Sequence, residues 1–158
     1  MGLLAARNAG IAVPDKTIDG ALNYMKSMTD PKSGNVGYSG LGGLGESGAR
    51  TSIACLVFSI GKRKSWKELE GTRKYLADHL EGSNRNWPFY ERYYKAQALF
   101  QADYDTWQKW NRNTIAELRN MQTDSGQIGS SGHGPNYATS MSLLALALNY
   151  RFLPIYER

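Results

Sequence analysis

The sequence lacks the features that mark disulfide-stabilised, membrane-spanning and β-sheet proteins. It contains one cysteine in 158 residues, which excludes an internal disulfide and any metal site built from several cysteines. Its apolar runs, such as residues 143–148, are far shorter than the ~20 residues needed to cross a bilayer. No segment alternates apolar and polar residues for long enough to predict a strand. We therefore expect an all-α protein with no membrane span.

Positive charge is in modest excess and mostly scattered. The chain carries 19 Lys and Arg against 14 Asp and Glu, a net charge of +5. The basic residues cluster only at Lys62, Arg63 and Lys64, with Lys67 shortly after. Such a cluster can contact phosphate groups, but cations also gather in solvated turns after a helix, where the helix dipole favours them. We favour the second interpretation and expect no nucleic-acid partner.

The length and composition are typical of one folded domain. With 41% hydrophobic and 21% charged residues, the chain is neither a disordered segment nor a coiled coil. Its first seven residues have no basic start and no long apolar run, so we predict no signal peptide within this chain. A single cysteine does not indicate a redox compartment, and the localisation stays open.

Apolar residues recur at helical spacing between two loops that are rich in glycine. Seven of the 17 glycines lie in residues 34–48 and four more in residues 126–134. Glycine at this density interrupts regular structure. The remaining segments predict six helices. They are residues 16–29, residues 49–60, a helix opened by a capping box at 65–68, residues 90–102, a helix opened by Asp105 as its N-cap, and residues 137–150.

The predicted helices alternate between two kinds. The first kind has one apolar stripe and the second is apolar on nearly every face, which predicts surface and interior positions respectively. The segments 51–56, 94–99 and 139–144 align at intervals of 43 and 45 residues, so the pattern predicts three helical-hairpin repeats. The single domain, residues 1–158, is thereby divided into repeats at about 14–61, 65–103 and 105–150 and a C-terminal tail at 151–158.

Several segments resemble those of a known superfamily. Residues 121–129 (MQTDSGQIG) follow an outer helix and precede residues 137–139 (YAT), which open an apolar helix. The stretch Ala5–Ile11 precedes the first outer helix, and Leu153–Arg158 closes the chain. In these features the chain resembles the terpenoid cyclase and protein prenyltransferase β-subunit superfamily over nearly its whole length, in particular bacterial squalene-cyclase-like proteins of unassigned function. The resemblance implies an (α/α)6 toroid, in which inner helices line a central cavity.

The three hairpins amount to half of such a toroid. Residues 2–9 resemble the end of a preceding inner helix, so the resemblance implies the C-terminal half of a longer protein. A half-ring exposes apolar edges at both ends, and arrays of repeats need their end faces covered. We therefore expect a homodimer that closes the ring by joining the last repeat of one chain to the first repeat of the other.

The motifs that carry the chemistry of the superfamily are missing. Residues 103–106 (DYDT) are similar to the acidic motif of the cyclases, but they open an outer helix and lack an adjacent aspartate pair. Cys55 and His133 are the candidates for a prenyltransferase-like zinc site, yet such a site needs three protein ligands and position 53 holds Ile. We interpret Cys55 as a core residue, and His133 as a solvated loop residue or a cavity-facing acid, base or ligand. We expect no catalytic residue, no metal and no cofactor.

Aromatic residues cluster where loops meet the starts of the interior helices, and the resemblance places a pocket there. The candidate ligand-binding residues are Tyr38, Arg50, Trp87, Phe89, Tyr93, Tyr94, His133 and Tyr137. Aromatic walls with a few polar groups suit an apolar or carbohydrate-like ligand, although the same rings can simply fill a core. Arg50, Glu91 and Lys95 lie near the same helix starts, either to orient a polar ligand group or as capping or paired charges.

The sequence therefore predicts a toroid module that does not catalyse a reaction. We expect it to bind an apolar or carbohydrate-like small molecule, or a protein partner, through its cavity face. The alternative is a fragment of a terpenoid- or squalene-cyclase-like enzyme, whose catalytic acid lies in an N-terminal half outside this chain.

Overall fold

The structure is a computed structural model that describes residues 1–42, 45, 48–81, 86–129 and 132–151. Its α-helices are α1 (Gly2–Asn8), α2 (Asp15–Ser27), α3 (Gly48–Ile60), α4 (Lys67–Asp78), α5 (Pro88–Ala102), α6 (Tyr104–Met121) and α7 (Pro135–Leu146). Within the described ranges there is no strand, and the predicted all-α class is confirmed. Beyond residue 151, the predicted C-terminal tail lies outside the described residues.

The helices pack in two layers. Helices α3, α5 and α7 lie side by side, with α5 in the middle and in contact with both others. Of the amphipathic helices, α2 packs on α3, α4 packs on α3 and α5, and α6 packs on α5. Amphipathic helices bury one stripe and expose the other, which is why they form the second layer. The three hairpin repeats and their closure into a toroid stay predictions.

The core lies between the two layers. It contains large side chains that are almost fully removed from solvent, among them Leu56, Phe58, Leu76, Leu99 and Phe100. The ring of Phe58 meets Trp66 edge-on, with the ring centroids 5.6 Å apart. Burying a side chain of this size stabilises a fold by about 1.5–3 kcal/mol. The predicted position of Cys55 in this core is confirmed, because the side chain is fully buried.

The start of α4 differs from the prediction. Trp66 occupies the N-cap position and no side chain caps this helix, so the predicted capping box at residues 65–68 is wrong. A backbone hydrogen bond from Trp66 N to Arg63 O closes a turn just before the helix. Because Ser65 lies inside that turn, it does not occupy the position from which a serine caps a helix.

The start of α6 also differs from the prediction. Its N-cap is Asp103, not Asp105, because the Asp103 carboxylate accepts a hydrogen bond from Thr106 N at 3.1 Å. Asp103 also lies 3.7 Å from a guanidinium nitrogen of Arg73. Asp105 lies in the first turn of α6, where the helix dipole favours a carboxylate. Both aspartates of the DYDT segment therefore have structural roles at a helix start.

Helix α7 departs most from its predicted length and burial. The prediction extends the helix to residue 150, but the α-helix ends at Leu146 and a 3₁₀ turn follows at Ala147–Asn149. The expectation that this helix is buried on all sides is wrong, since Leu143 is 56% exposed and Leu144 is 39% exposed. Among the other α-helices, α7 packs mainly on α5. One face of α7 therefore has no neighbour among the described residues.

The starts of α3, α5 and α7 lie together at one end of the molecule, which we call the loop end. Glu91, in the first turn of α5, lies against Gly48, the first residue of α3. Trp87, the N-cap residue of α5, stacks on His133, which precedes α7. Since each pair joins the starts of two neighbouring helices, three helix N-termini and their loops meet at this end.

Candidate ligand-binding site at the loop end

The first glycine-rich loop folds back onto the helix before it and is tied to the helix after it. Gly37 N donates to Met28 O at 2.9 Å, and Val36 is buried beneath the loop. The hydroxyl of Thr51, near the start of α3, donates to Gly34 O at 3.1 Å. The first part of the loop, residues 34–37, is therefore bonded to both the preceding helix and the following one.

The second glycine-rich loop has the same construction before α7. Gly129 N donates to Met121 O at 3.1 Å, and Ile128 is buried beneath the loop. The hydroxyl of Thr139, near the start of α7, accepts a hydrogen bond from Ile128 N at 3.0 Å. Each loop thus buries one β-branched residue and bonds to a threonine of the following helix. This likeness supports the predicted hairpin repeat.

Four aromatic side chains join the start of α5 to the start of α7. We call them the Trp87 cluster: Trp87, Phe89, His133 and Tyr137. The rings of Trp87 and His133 stack with centroids 4.1 Å apart and planes 11° apart. The ring of Tyr137 meets His133 at 5.4 Å and Phe89 at 6.5 Å, both edge-on. The structure therefore brings four of the predicted ligand residues into one group.

The Trp87 cluster has a buried side and a solvent side. Phe89 is buried, and Gly129 lies so close that an added Cβ would be 3.0 Å from the Phe89 ring. Trp87 is 47% exposed and His133 is also exposed. A large ring that is held by stacking and is still open to solvent offers a flat apolar face to a ligand.

The hydroxyl of Tyr137 is a buried polar group without a hydrogen bond of normal geometry. Burial raises the pKa of this hydroxyl, the phenol of Tyr90 raises it further, and the backbone N–H of Tyr90 lowers it. A buried hydroxyl without a partner costs about 1–3 kcal/mol. A ligand that pairs with Tyr137 removes that cost, so this hydroxyl favours a polar ligand beside the stacked rings.

Tyr93 and Tyr94 belong to a second aromatic group farther along α5. The ring of Tyr94 lies 4.9 Å from that of Tyr90 and 4.8 Å from that of Tyr93, edge-on in both cases. Tyr94 packs against the hydrophobic core, and its burial raises the pKa of its hydroxyl well above the usual range, with a further contribution from Tyr90. Tyr94 therefore fills space beside the core, which is the alternative to ligand binding that the sequence leaves open for these rings.

Tyr38 and Arg50 lie on and beside the first loop. Tyr38 is 83% exposed. The guanidinium of Arg50 donates from Nε to Val36 O at 2.7 Å and from Nη2 to Gly45 O at 2.9 Å. Because two of its donors bind loop carbonyls, Arg50 holds the first loop in place, and its side chain is less free to bind a ligand than the sequence alone predicts.

Glu91 and Lys95 form a buried ion pair at the loop end. The Lys95 ammonium lies 2.9 Å from Glu91 Oε1 and donates to His79 O at 3.0 Å. Both side chains are almost fully buried. The sequence leaves open whether these residues orient a ligand or pair with each other, and the structure shows the pair.

The position of Glu91 depends on Gly48. A Cβ at position 48 would lie 2.6 Å from the Glu91 carboxylate, so only glycine leaves room for this contact. The carboxylate therefore reaches the N-terminus of α3, where the helix dipole stabilises negative charge. Pairing with Lys95 and this dipole together offset part of the cost of burying a charge.

A polar cleft opens beside this ion pair, between the residues just after α4, the first half of α5 and the second half of α6. It has a volume of about 70 Å³, and its lining includes Glu81, Glu91, Arg92, Lys95, Asn113 and Glu117. Arg92 Nη2 lies 2.8 Å from Glu117 Oε2, and the Arg92 guanidinium lies over the Phe89 ring at 5.4 Å. Arg92 Nη1 is buried and has no hydrogen-bond partner among the described residues.

Sequence reasoning missed Arg92 and Tyr90 as residues of this region. Arg92 follows Phe89 by three residues and Tyr90 precedes Tyr94 by four, so each pair lies on one face of α5. That spacing is a signal that predicts both contacts. No sequence spacing predicts that one donor of Arg92 lacks a partner among the described residues, because the groups around that donor come from the region of α4 and from α6.

The residues considered for a zinc site do not come together with further ligands. Among the described residues, no group of three or more His, Cys, Asp or Glu side chains is placed to hold a metal ion. Burial raises the pKa of the Cys55 thiol to about 12, so the thiolate that binds metals is disfavoured. His133 instead stacks on Trp87.

The basic cluster lies in the turn after α3, as predicted. Arg63 pairs with Asp19 and its guanidinium lies 5.7 Å from the Trp66 ring, so part of the cluster contacts the protein itself. No helix in the described part of the chain has the length and apolar character needed to span a membrane.

The chain matches no known protein family, no curated protein and no solved structure. The resemblance to the toroid superfamily stays an expectation from the sequence motifs of this chain. For function, the Trp87 cluster and the neighbouring polar cleft are the features on which a hypothesis can be based.

Proposed function

We propose that this protein is a non-catalytic binding module made of helical hairpins, and that its loop end binds a carbohydrate-like ring ligand. The observation that carries the proposal is the Trp87 cluster. Its outer ring, Trp87, is held by stacking on His133 and is still open to solvent. The flat face of an aromatic ring suits the apolar face of a sugar ring, while nearby polar groups suit its hydroxyls.

The polar groups around the cluster favour a carbohydrate over a purely apolar ligand. The Tyr137 hydroxyl is buried without a hydrogen bond of normal geometry, Arg92 Nη1 is buried without a hydrogen-bond partner among the described residues, and both side chains contact the Phe89 ring. Each is a donor that an apolar ligand would leave unsatisfied. Glu91, the buried carboxylate of this end, is engaged by Lys95, which favours binding over acid catalysis as its role.

We further propose that the chain is the C-terminal half of a toroid of the terpenoid cyclase and prenyltransferase type. The two-layer packing and the like construction of the two glycine-rich loops support this proposal. In a toroid the starts of the inner helices face one opening of the ring. The Trp87 cluster would then lie at the mouth of the cavity.

The experiment is a calorimetric titration of the protein with cellohexaose, xylohexaose and chitohexaose. We expect at least one of these to bind, and Trp87→Ala to weaken its binding by about tenfold or more through loss of the stacking surface. Tyr24→Ala, which removes an exposed ring on α2, is the matched control and is expected to bind normally. The carbohydrate proposal fails if none of the three binds, or if both variants lose affinity equally.

Native mass spectrometry of protein purified from cells tests the same proposal without choosing a probe. Gentle conditions preserve a bound molecule, and activation releases it for mass measurement. A released oligosaccharide supports the proposal. A released apolar molecule contradicts it and shows that the ligand is apolar.

A protein partner is favoured by a separate observation, the exposed apolar residues at both ends of the helix array. Leu143 and Leu144 are exposed on α7, and Leu3 and Ile11 are exposed on and after α1. A second copy of the chain that joins the last repeat to the first would cover both surfaces at once. We propose that homodimer as the way in which the ring closes.

A further inference from the structure

A second cleft lies at the end of the molecule opposite the loop end. It has a volume of about 270 Å³ and is formed by the end of α5, the first half of α6 and the 3₁₀ turn after α7. Its lining includes Phe100, Tyr104, Trp107, Asn111, Arg112 and Arg151. None of these residues belongs to the proposed carbohydrate site.

One wall of this cleft is aromatic. The rings of Tyr104 and Trp107 stack with centroids 5.2 Å apart and planes 20° apart. Phe100 meets Trp107 edge-on at 5.0 Å. Packing of this kind fixes the orientation of each ring. Phe100 and Trp107 are almost fully buried and Tyr104 is half-buried, so Tyr104 presents most of the exposed aromatic surface of the wall.

Trp107, which lines the cleft, carries a donor that no described residue satisfies. Trp107 is only 5% exposed, and its indole Nε1 is buried without a hydrogen-bond partner. An indole N–H can donate but cannot accept, so its partner must be an acceptor. A buried donor of this kind costs free energy unless a water or a ligand accepts from it.

Two charged side chains are among the described residues that line the cleft, and both are cationic. Arg112 and Arg151 are exposed at its rim, and the Arg151 guanidinium lies 5.7 Å from the Phe100 ring. No carboxylate is among the described residues that line it. Asn111 and Asn149, which also line the cleft, bond to each other through their side-chain amides at 2.7 Å. The cleft therefore combines an aromatic wall with donors and positive charge.

We propose that this cleft binds a small aromatic anion, such as an aromatic carboxylate. The flat ring of the ligand packs on the aromatic wall, and its carboxylate faces Arg112 and Arg151. Arginine suits this role, because its planar guanidinium can donate two parallel hydrogen bonds to one carboxylate. A carboxylate oxygen is also an acceptor for Trp107 Nε1–H.

The test uses 1-naphthoate as the probe and neutral 1-naphthalenemethanol as its uncharged match. Indole N–H signals in a ¹H–¹⁵N NMR titration report the site, since Trp107→Phe identifies the signal of Trp107 and Trp87→Ala that of Trp87. We expect 1-naphthoate to shift the Trp107 signal. We also expect the neutral compound to bind about tenfold more weakly, because it lacks the charge-assisted hydrogen bonds.

Substitutions at the rim test the role of charge without altering the core. Arg112→Gln and Arg151→Gln are each expected to weaken 1-naphthoate binding by about tenfold and to leave the neutral compound unaffected. Arg119→Gln, on the exposed last turn of α6, is the matched control and is expected to bind normally.

Three results would overturn the proposal. The first is equal affinity for the charged and the neutral probe, and the second is a shift of the Trp87 signal in place of the Trp107 signal. The third is binding that is seen only in a chain ending at residue 151, because the cleft would then serve the protein's own C-terminal residues. Trp87→Ala is expected to retain 1-naphthoate binding, which separates this site from the loop end.

Discussion

Helices α3 and α7 have nearly the same character in sequence and different surroundings in the structure. Each follows a glycine-rich loop, each starts at the loop end, and each is apolar on nearly every face. Every residue of α3 is buried or half-buried. In α7, by contrast, the leucines at 143 and 144 are exposed.

The difference follows from the neighbours that each helix has. α3 packs against α2, α4 and α5, whereas the main helical neighbour of α7 is α5. A helix that is apolar all round lowers its free energy by burial only where other elements cover it. The comparison teaches that such a helix at the edge of an array indicates a missing neighbour, and this supports the proposed homodimer.

The largest expected effect comes from the same substitution made in both helices. Leu56→Ala in α3 removes a fully buried side chain and leaves a cavity, so we expect the free energy of unfolding to fall by about 2–5 kcal/mol. Leu143→Ala in α7 removes an exposed side chain and is expected to change it by less than about 0.5 kcal/mol. Urea denaturation of dilute protein measures both. Equal losses would mean that α7 is covered as fully as α3.

A smaller expected effect is a difference between α3 and α7 in how their titratable residues make the free energy of unfolding depend on pH. The unfolded Cys55 thiol titrates near pH 9, while burial in α3 raises its folded pKa to about 12. Between these values the folded state holds the proton more tightly than the unfolded state, so stability falls as pH rises. The expected fall is about 1.4 kcal/mol per pH unit above pH 9.

Cys55→Ala is expected to remove this fall, which urea denaturation at pH 8 and pH 10 detects. Tyr137, in α7, is the comparison, because burial also raises the pKa of its hydroxyl. The contribution of Tyr137 to the free energy of unfolding falls as pH rises above about 10, the ordinary tyrosine pKa. Tyr137→Phe is therefore expected to change the pH dependence of stability only above that pH. The same pH dependence in the wild type and in Cys55→Ala would show that the thiol of α3 is not held protonated.

The smallest effect on stability, and the sharpest test of the comparison, is a change of charge on the open face of α7. Leu143→Glu combined with Leu144→Glu is expected to change the free energy of unfolding of the monomer by less than about 0.5 kcal/mol. It is expected to convert a dimer into a monomer in sedimentation velocity experiments. Ile115→Glu, at an exposed apolar position of α6, is the matched control and is expected to remain a dimer. A wild-type mass of one chain at high concentration would contradict the dimer.

The candidate site was predictable where its residues are close in sequence to a helix start. Trp87, Phe89, His133 and Tyr137 stand next to loops that glycine and proline mark, and the structure brings them together. Arg92 was not predictable as an unsatisfied donor. Its surroundings depend on how α4 and α6 approach α5, which no spacing within α5 specifies.

The sequence by itself determined the class of the fold and the order of its helices and loops. These depend on interactions over a few residues, namely helical spacing of apolar side chains and glycine density, which a single segment carries. Its prediction that Cys55 lies in the core is confirmed for the same reason, since the helix around it is apolar on nearly every face.

Only the tertiary structure decided which residues cap helices and which charged residues pair with each other. Asp103 caps α6 in place of Asp105, and Glu91 pairs with Lys95 in a space left by Gly48. It also decided that α3 is covered, while one face of α7 has no neighbour among the described residues. Burial, pairing and capping depend on the distance to groups far away in the chain, and that distance exists only once the helices have packed.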